Sequence, residues 1–214
     1  MTRLKEECGV FGIFGNKDAS SLTALGLHAL QHRGQESAGL VTVDEDGREK
    51  TYKGMGLVVD IFDDKTLKEM YGTLAIGHVR YSTAGDSSLR NAQPLVVDYQ
   101  DQPLALAHNG NLSNAVELRN RLSSEGAIFQ TDSDSEAIVH LIARSRREDQ
   151  DHKIDDALSQ VVGAFSVGLC IGNTVYAARD PRGFRPLVLG RLDGAVVVTS
   201  ETCALDIIGA DFVR

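Results

Sequence analysis

Five stretches of the chain carry residue types that do chemistry. They are Cys8-Gly9, His32-Arg33-Gly34, His78-Val79-Arg80, His108-Asn109-Gly110 and Ser133-Asp134-Ser135-Glu136. The first four set a polar or charged residue beside glycine, or close an apolar run with one. Polar groups at element ends can converge on one pocket. Cys8 is the candidate nucleophile. A thiol with its free pKa of ~8.5 is mostly protonated at neutral pH and needs a base. The other reading of Cys8 is a small buried hydrophobe at a strand start. The other readings of the charged residues are surface ion pairs, and of His78 a core histidine. Asn109-Gly110 is also the commonest hairpin-turn pair.

Composition narrows the class. At 214 residues the chain can bury a real core as one domain. A net charge of −8 argues against a nucleic-acid partner, whose binding face would normally be basic. No apolar run approaches the ~20 residues of a membrane-spanning helix. Residues 1–7 form a short leader without the apolar segment of a secretory signal. Cys8, Cys170 and Cys203 are far apart and not in metal spacing, so no metal site and no disulfide framework are expected, and the setting is a reducing cytoplasm. Cys170 reads as part of a core strand and Cys203 as a helix start.

The positioning elements follow in order. Val10, Phe11, Ile13 and Phe14 predict a buried strand behind Cys8. Leu22, Leu25 and Leu30 predict a helix over 19–31, capped by Ser20 or Ser21 and closed by Gly34 in a left-handed turn. Residues 36–43 and 48–53 predict a hairpin about Asp44–Gly47, with Gly54-Met55-Gly56 breaking the pattern. Residues 57–62 and 66–71 read as a short strand or helix pair. A strand over 73–79 leads into the polar stretch 80–91, which reads as a loop or lid with Gly85 as a bending point. Gln93-Pro94-Leu95 closes that stretch, and a strand over 104–108 runs into Asn109.

Ser113 is expected to cap a helix to Ser124, ended by Gly126. A second helix carries Ile138, Leu141 and Ile142, and a third covers 154–161 after a solvated charge run over 144–153. Strands over 165–171, 174–178, 187–189 and 195–199 close the chain, antiparallel because their turns are tight. Blocks of strands flanked by helices give an α+β layered domain.

Several of these stretches also carry a resemblance. Glu7-Cys-Gly-Val-Phe-Gly-Ile13, Leu30-Gln-His-Arg-Gly-Gln-Glu36, Gly77-His-Val-Arg-Tyr-Ser-Thr83, Ala107-His-Asn-Gly-Asn-Leu112 and Thr131-Asp-Ser-Asp-Ser-Glu136 resemble the glutaminase domain of class II glutamine amidotransferases. The likeness runs from Cys8 to the last residues. Gln31–Gly39, Asp180-Pro-Arg-Gly-Phe-Arg-Pro186 and Ser200-Glu-Thr-Cys-Ala-Leu-Asp206 are most similar to the amidophosphoribosyltransferase branch of that class. The resemblance implies the four-layer αββα sandwich of N-terminal-nucleophile hydrolases, with two antiparallel sheets between helix layers.

It also implies roles. Residues 1–7 would be a propeptide, and residues 8–214 the glutaminase domain. Cleavage would give Cys8 a free α-amine of pKa ~7.7–8, a base on the same residue as the thiol. Cys8 would attack the glutamine carboxamide. The Asn109 side chain and the Gly110 N–H would hold the oxyanion, each donor worth roughly 2.7–4 kcal/mol. Arg80 would take the α-carboxylate and Asp134 the α-ammonium, with Arg33, Gly34, His78 and Thr83 completing the pocket. Asp132 stands where the family pattern has a neutral residue, so the choice of Asp134 rests on motif register.

The family's second domain, which binds phosphoribosyl pyrophosphate (PRPP) with Mg2+, has no counterpart here. Val58–Asp64 with Thr66 lacks the glycine–hydroxyl loop that cradles a phosphate. The leader resembles the branch that carries a 4Fe–4S cluster, whose ligands would also lie elsewhere. L-Glutamine is the expected ligand, PRPP a partner through the second domain, and a homo-oligomer the expected assembly. Two alternatives remain open: a glutaminase serving another acceptor, such as a sugar phosphate or aspartate, and a silent glutamine-binding module that keeps its leader.

Overall fold

The computed structural model describes residues 7–81 and 88–214. Strand β1 (Gly9–Phe14) lies at the centre of a sheet, buried along nearly its whole length. Helix α1 (Ala19–Ala29) follows, then a 3₁₀ turn over Gln31–Arg33. Next come β2 (Ser37–Val43), β3 (Glu49–Met55), the short helices α2 (Val58–Ile61) and α3 (Asp64–Glu69), and β4 (Leu74–Arg80). The second half begins with β5 (Leu95–Tyr99), β6 (Gln102–Leu112), α4 (Ala115–Ser124), α5 (Ser135–Arg144) and α6 (Gln150–Ser159). The chain ends with β7 (Gly163–Ile171), β8 (Thr174–Arg179), β9 (Val188–Leu192), β10 (Ala195–Thr199), α7 (Cys203–Ile208) and β11 (Asp211–Phe212).

Among the described residues the strands form two antiparallel sheets. One has the order β11-β9-β10-β1-β4-β2-β3 and the other β5-β6-β7-β8. Each sheet has one face on helices and one on the other sheet, which requires three apolar layers. Phe11, Ile13, Leu27, Leu30, Val197 and Leu205 pack the first sheet against α1 and α7. Leu104, Leu106, Leu118, Ile138, Ile142 and Val167 pack the second against α4, α5 and α6. Val10, Val41, Ile76, Ala105, Ala107 and Cys170 fill the layer between the sheets. This is the αββα sandwich that the resemblance implies.

Antiparallel pairing fixes where the site forms. In the first sheet β1 and β2 begin where β4 and β10 end: Gly9 lies opposite Val79, Ser37 opposite Arg80, and Phe11 opposite Thr199. In the second sheet β6 ends where β7 begins, with Asn109 opposite Ser166 and Leu112 opposite Gly163. The two sets of strand ends face each other across the sandwich, with β1 and β4 packed on β6 and β7.

Some local expectations fail for physical reasons. Asp18, not Ser20 or Ser21, precedes α1; Ser20 Oγ instead donates to the Leu67 carbonyl. Asn114 is the residue before α4, and Ser113 Oγ bonds Val162 O across to the neighbouring loop. Gly34 is extended (φ −159°) rather than left-handed. A Cβ there would lie 2.7 Å from the backbone N and C of Arg80, so the glycine serves close approach. Asn109-Gly110 is no turn but part of the long strand β6. Gly54 and Met55 remain within β3. Strand Leu95–Tyr99 was not anticipated, and α6 starts inside the charge run at Gln150.

Candidate active site

Cys8 stands just before β1, with a backbone φ of +67°. An L-residue enters this left-handed region at a cost of about 1–2 kcal/mol. Arg33 holds it there. The Cys8 N–H donates to the Arg33 carbonyl at 2.9 Å, and Arg33 Nε donates to the Cys8 carbonyl at 2.6 Å. The Cys8 Sγ lies 3.5 Å from the Tyr81 carbonyl, at the end of β4. Burial pushes the thiol pKa up, against a backbone hydrogen bond at Tyr81 and the charges of Arg80 and Arg185. The thiol is therefore neutral at rest, and attack requires a proton acceptor.

Arg80 closes β4 and is buried, with Nη1 donating to Glu36 Oε1 at 2.5 Å. Glu36 N–H also donates to the Arg80 carbonyl at 3.0 Å. The guanidinium is thus fixed by its neighbour strand, close enough to Cys8 to act on its charge. Arg33 is buried as well, and its Nη1 pairs with Glu201 Oε1. Its side chain serves Cys8 and Glu201.

On the opposite sheet, Asn109 is fully buried on β6, on the face turned toward the first sheet. Its Nδ2 donates to Ser200 Oγ at 3.5 Å, and among the described residues no partner meets its Oδ1. Ser200 follows β10 and is itself doubly tied to β1. Its N–H donates to the Val10 carbonyl and its Oγ accepts from the Val10 N–H, both at 2.9 Å. Gly110 has φ +151°, and a Cβ there would fall 2.1 Å from the Ala164 carbonyl. Only glycine leaves room for the backbone to take that path.

Asp134 sits at the start of α5, where one carboxylate oxygen accepts from Leu112 N–H at 2.8 Å and the other lies 3.6 Å from His108 Nδ1. Burial pushes its pKa up, but hydrogen bonds and charge at His108 and the backbone N–H groups of Leu112 and Ser135 pull it down further. It is a stable carboxylate beside the end of β6. His108 also bonds Ser135 Oγ through Nδ1 at 2.8 Å, and its N–H donates to Gln93 Oε1 at 2.7 Å.

His78 is fully buried between the sheets and donates from Nε2 to the His108 carbonyl at 3.0 Å. Burial drives its pKa down to about 3, so it is neutral. It supports the peptide that carries Asn109 rather than lining an open pocket. Gly34 contributes by its closeness to Arg80. Thr83 and the bending point Gly85 lie outside the described residues.

Four contributors escaped the sequence reading of the site: Glu36, Arg185, Ser200 and Glu201. Arg185 belongs to the stretch 180–186, where the Asp180 carboxylate accepts from the N–H groups of Phe165, Arg182, Phe184 and Arg185. The signal was present, since both the 180–186 and 200–206 stretches resemble the family, but no spacing pointed to their partners. Among the described residues no cluster of His, Cys, Asp and Glu could hold a metal ion. Cys170 is buried between the sheets and Cys203 begins α7, so neither joins Cys8 in one ligand set.

The chain is similar to proteins of known name and structure. An amidophosphoribosyltransferase of Rhizobium etli is 51% identical over 212 residues, covering 99% of this chain and 42% of the relative. One of Bacillus subtilis is 47% identical, covering 99% of this chain and 44% of the relative. The chain therefore spans less than half the length of these relatives. A solved glutamine PRPP amidotransferase from B. subtilis, complexed with ADP and GMP, matches with a TM-score of 0.91 at 45% identity, over 97% of this chain and 45% of that one. A structure described as the allosteric regulatory enzyme of purine biosynthesis matches with a TM-score of 0.92 at 46% identity, over 97% of this chain and 44% of that one. The fold is that of the N-terminal-nucleophile hydrolases. The model of the glutamine amidotransferase domain matches residues 78–206, and the chain belongs to that family.

Proposed function

We propose that residues 8–214 are the glutamine-hydrolysing unit of an amidophosphoribosyltransferase, and that residues 1–7 are a propeptide whose removal frees the α-amine of Cys8. The observation that carries this reading is the meeting of two sheets at Ser200. Ser200 is bonded to Val10, two residues beyond Cys8, and reaches the Asn109 amide on the opposite sheet. Nucleophile and oxyanion donor thus share one end of the sandwich.

The chemistry follows. The Cys8 α-amine takes the thiol proton, and the thiolate attacks the carboxamide carbon of glutamine. The oxyanion accepts from Asn109 Nδ2 and the Gly110 N–H. Collapse breaks the carbon–nitrogen bond, the amine's proton leaves with ammonia, and a Cys8 thioester remains. Water then gives a proton to the α-amine and attacks the thioester carbonyl; the carbon–sulfur bond breaks, glutamate departs and the thiolate takes the proton back. Arg80 binds the α-carboxylate and Asp134 the α-ammonium of the substrate, each a charge-assisted contact from a fixed side chain. Arg33 and His78 hold Cys8 and the Asn109 peptide in place, and Gly34 lets Arg80 close on them.

In the longer protein, the ammonia displaces pyrophosphate from PRPP to give 5-phosphoribosylamine, the first step of purine biosynthesis. The PRPP site with its Mg2+, and any 4Fe–4S cluster, belong to a domain outside residues 8–214. No step above passes through either. The setting is cytoplasmic and the assembly a homo-oligomer. Release of ammonia and glutamate from glutamine by the purified chain tests the reading. Activity that disappears in Cys8→Ala supports it; activity that survives in Cys8→Ala overturns it. Conversion of PRPP by the longer protein, with glutamine as donor, separates this acceptor from a sugar phosphate or aspartate.

A further inference from the structure

The clamp on Cys8 has a support of its own. Arg33 reaches the Cys8 carbonyl with Nε and pairs with Glu201 Oε1 through Nη1. Glu201 meets His32 Nε2 with its other oxygen at 3.0 Å. Glu201 is also the neighbour of Ser200, which touches the Asn109 amide and fixes β1. One dipeptide after β10 therefore contacts both halves of the chemistry, 168 residues along the chain from Arg33.

We infer that Glu201 is a positioning residue for the hydrolytic reaction: it holds the Arg33 guanidinium in the orientation that keeps the Cys8 backbone in its left-handed conformation. The inference rests on the functional reading above. A guanidinium can swing about four side-chain torsions, and losing that freedom costs free energy unless a second partner fixes it. Glu201 supplies that partner on the side away from Cys8. It stays ionised: burial raises its pKa, but hydrogen bonds and charge from Arg33 and His32 lower it further. Ser200, at the next position, does for Asn109 what Glu201 does for Cys8. The corner sets the distance between nucleophile and oxyanion donor without touching substrate, so its loss should slow chemistry and leave glutamine binding alone.

The test is steady-state glutamine hydrolysis by the matured chain carrying Glu201→Ala or Glu201→Gln. Glu201→Ala is expected to lower kcat by about 10- to 100-fold, with KM for glutamine within about twofold. Glu201→Gln keeps an oxygen facing Arg33 and is expected to recover part of the loss. If Glu201→Ala does not fold, Glu201→Gln alone decides, with a lowered kcat at constant KM expected. An unchanged kcat in Glu201→Gln and in any folded Glu201→Ala overturns the inference, as does a raised KM at constant kcat. A wild-type chain with no Cys8-dependent hydrolysis overturns the functional reading and this inference with it. An active wild type beside unaffected variants overturns this inference alone.

Discussion

Cys8 and Arg33 hold each other by two backbone-directed bonds, Cys8 N–H to the Arg33 carbonyl at 2.9 Å and Arg33 Nε to the Cys8 carbonyl at 2.6 Å. The clamp explains why Arg33 is buried, and why the 3₁₀ turn Gln31–Arg33 separates α1 from β2. It ties the Arg33 side chain to the backbone of Cys8. Under the proposed function, Arg80 and Asp134 are the charges for the two ends of the substrate amino acid.

Under the proposed function, Asn109→Ala removes one oxyanion donor while Gly110 and the substrate charges stay. The account expects kcat to fall by about 10²–10³-fold, with a small change in KM. Steady-state kinetics on glutamine measure it. A loss expressed mainly in KM would mean that Asn109 binds ground-state substrate instead.

Asp134→Asn keeps the size of the side chain and an oxygen for the Leu112 N–H but removes the charge. Loss of a charged hydrogen bond costs about 1.5–3 kcal/mol, so KM for glutamine should rise roughly 10- to 100-fold. A glutamine analogue lacking the α-amino group should bind wild type and Asp134→Asn equally. Discrimination between the two proteins by that analogue would count against Asp134 as the ammonium ligand.

His78 gives a signed pH effect. Its folded pKa is about 3 against an ordinary 6.5, so the unfolded chain binds a proton that the folded chain refuses. The contribution is fully present above pH 6.5 and is lost progressively as pH falls toward 3, by a few kcal/mol on the order of magnitude. Denaturant titrations at several pH values should show a shallower loss in His78→Gln than in wild type over that window. Parallel curves would show that His78 does not titrate this way.

Gly34→Ala places a methyl 2.7 Å from the Arg80 backbone, which belongs to a paired strand and cannot swing aside. Overpacking of this kind costs about 1–3 kcal/mol. A lowered denaturation midpoint with the slope unchanged is expected, together with weaker glutamine binding through displaced Arg80. Wild-type stability would show that the turn adjusts.

Strands with a dense apolar run were legible from sequence. Val10, Phe11 and Ile13 announced β1, and Ile138, Leu141 and Ile142 announced the buried face of α5. The left-handed turn expected at Gly34 fails, because sequence shows that a glycine is needed and not whether a turn or a neighbouring backbone needs it. Leu95–Tyr99 was missed: it is five residues long, and Asp98 interrupts its apolar pattern. Residues that share one end of the fold were legible where a motif is contiguous, as at His78–Arg80. They were not legible where partners lie far apart in sequence, as Arg33 and Glu201 do. Nor could sequence show that the chain changes sheets between β8 and β9, since the Asp180 loop that makes the passage is held by its own carboxylate.

Under the proposed function, Cys8 becomes an N-terminal nucleophile in a glutamine pocket. Intact mass of the purified chain, before and after exposure to a glutamine-mimicking electrophile, tests it most directly. Loss of residues 1–7 and a single adduct on Cys8 are expected. A chain that has lost residues 1–7 yet takes no adduct, or takes it elsewhere, would contradict it.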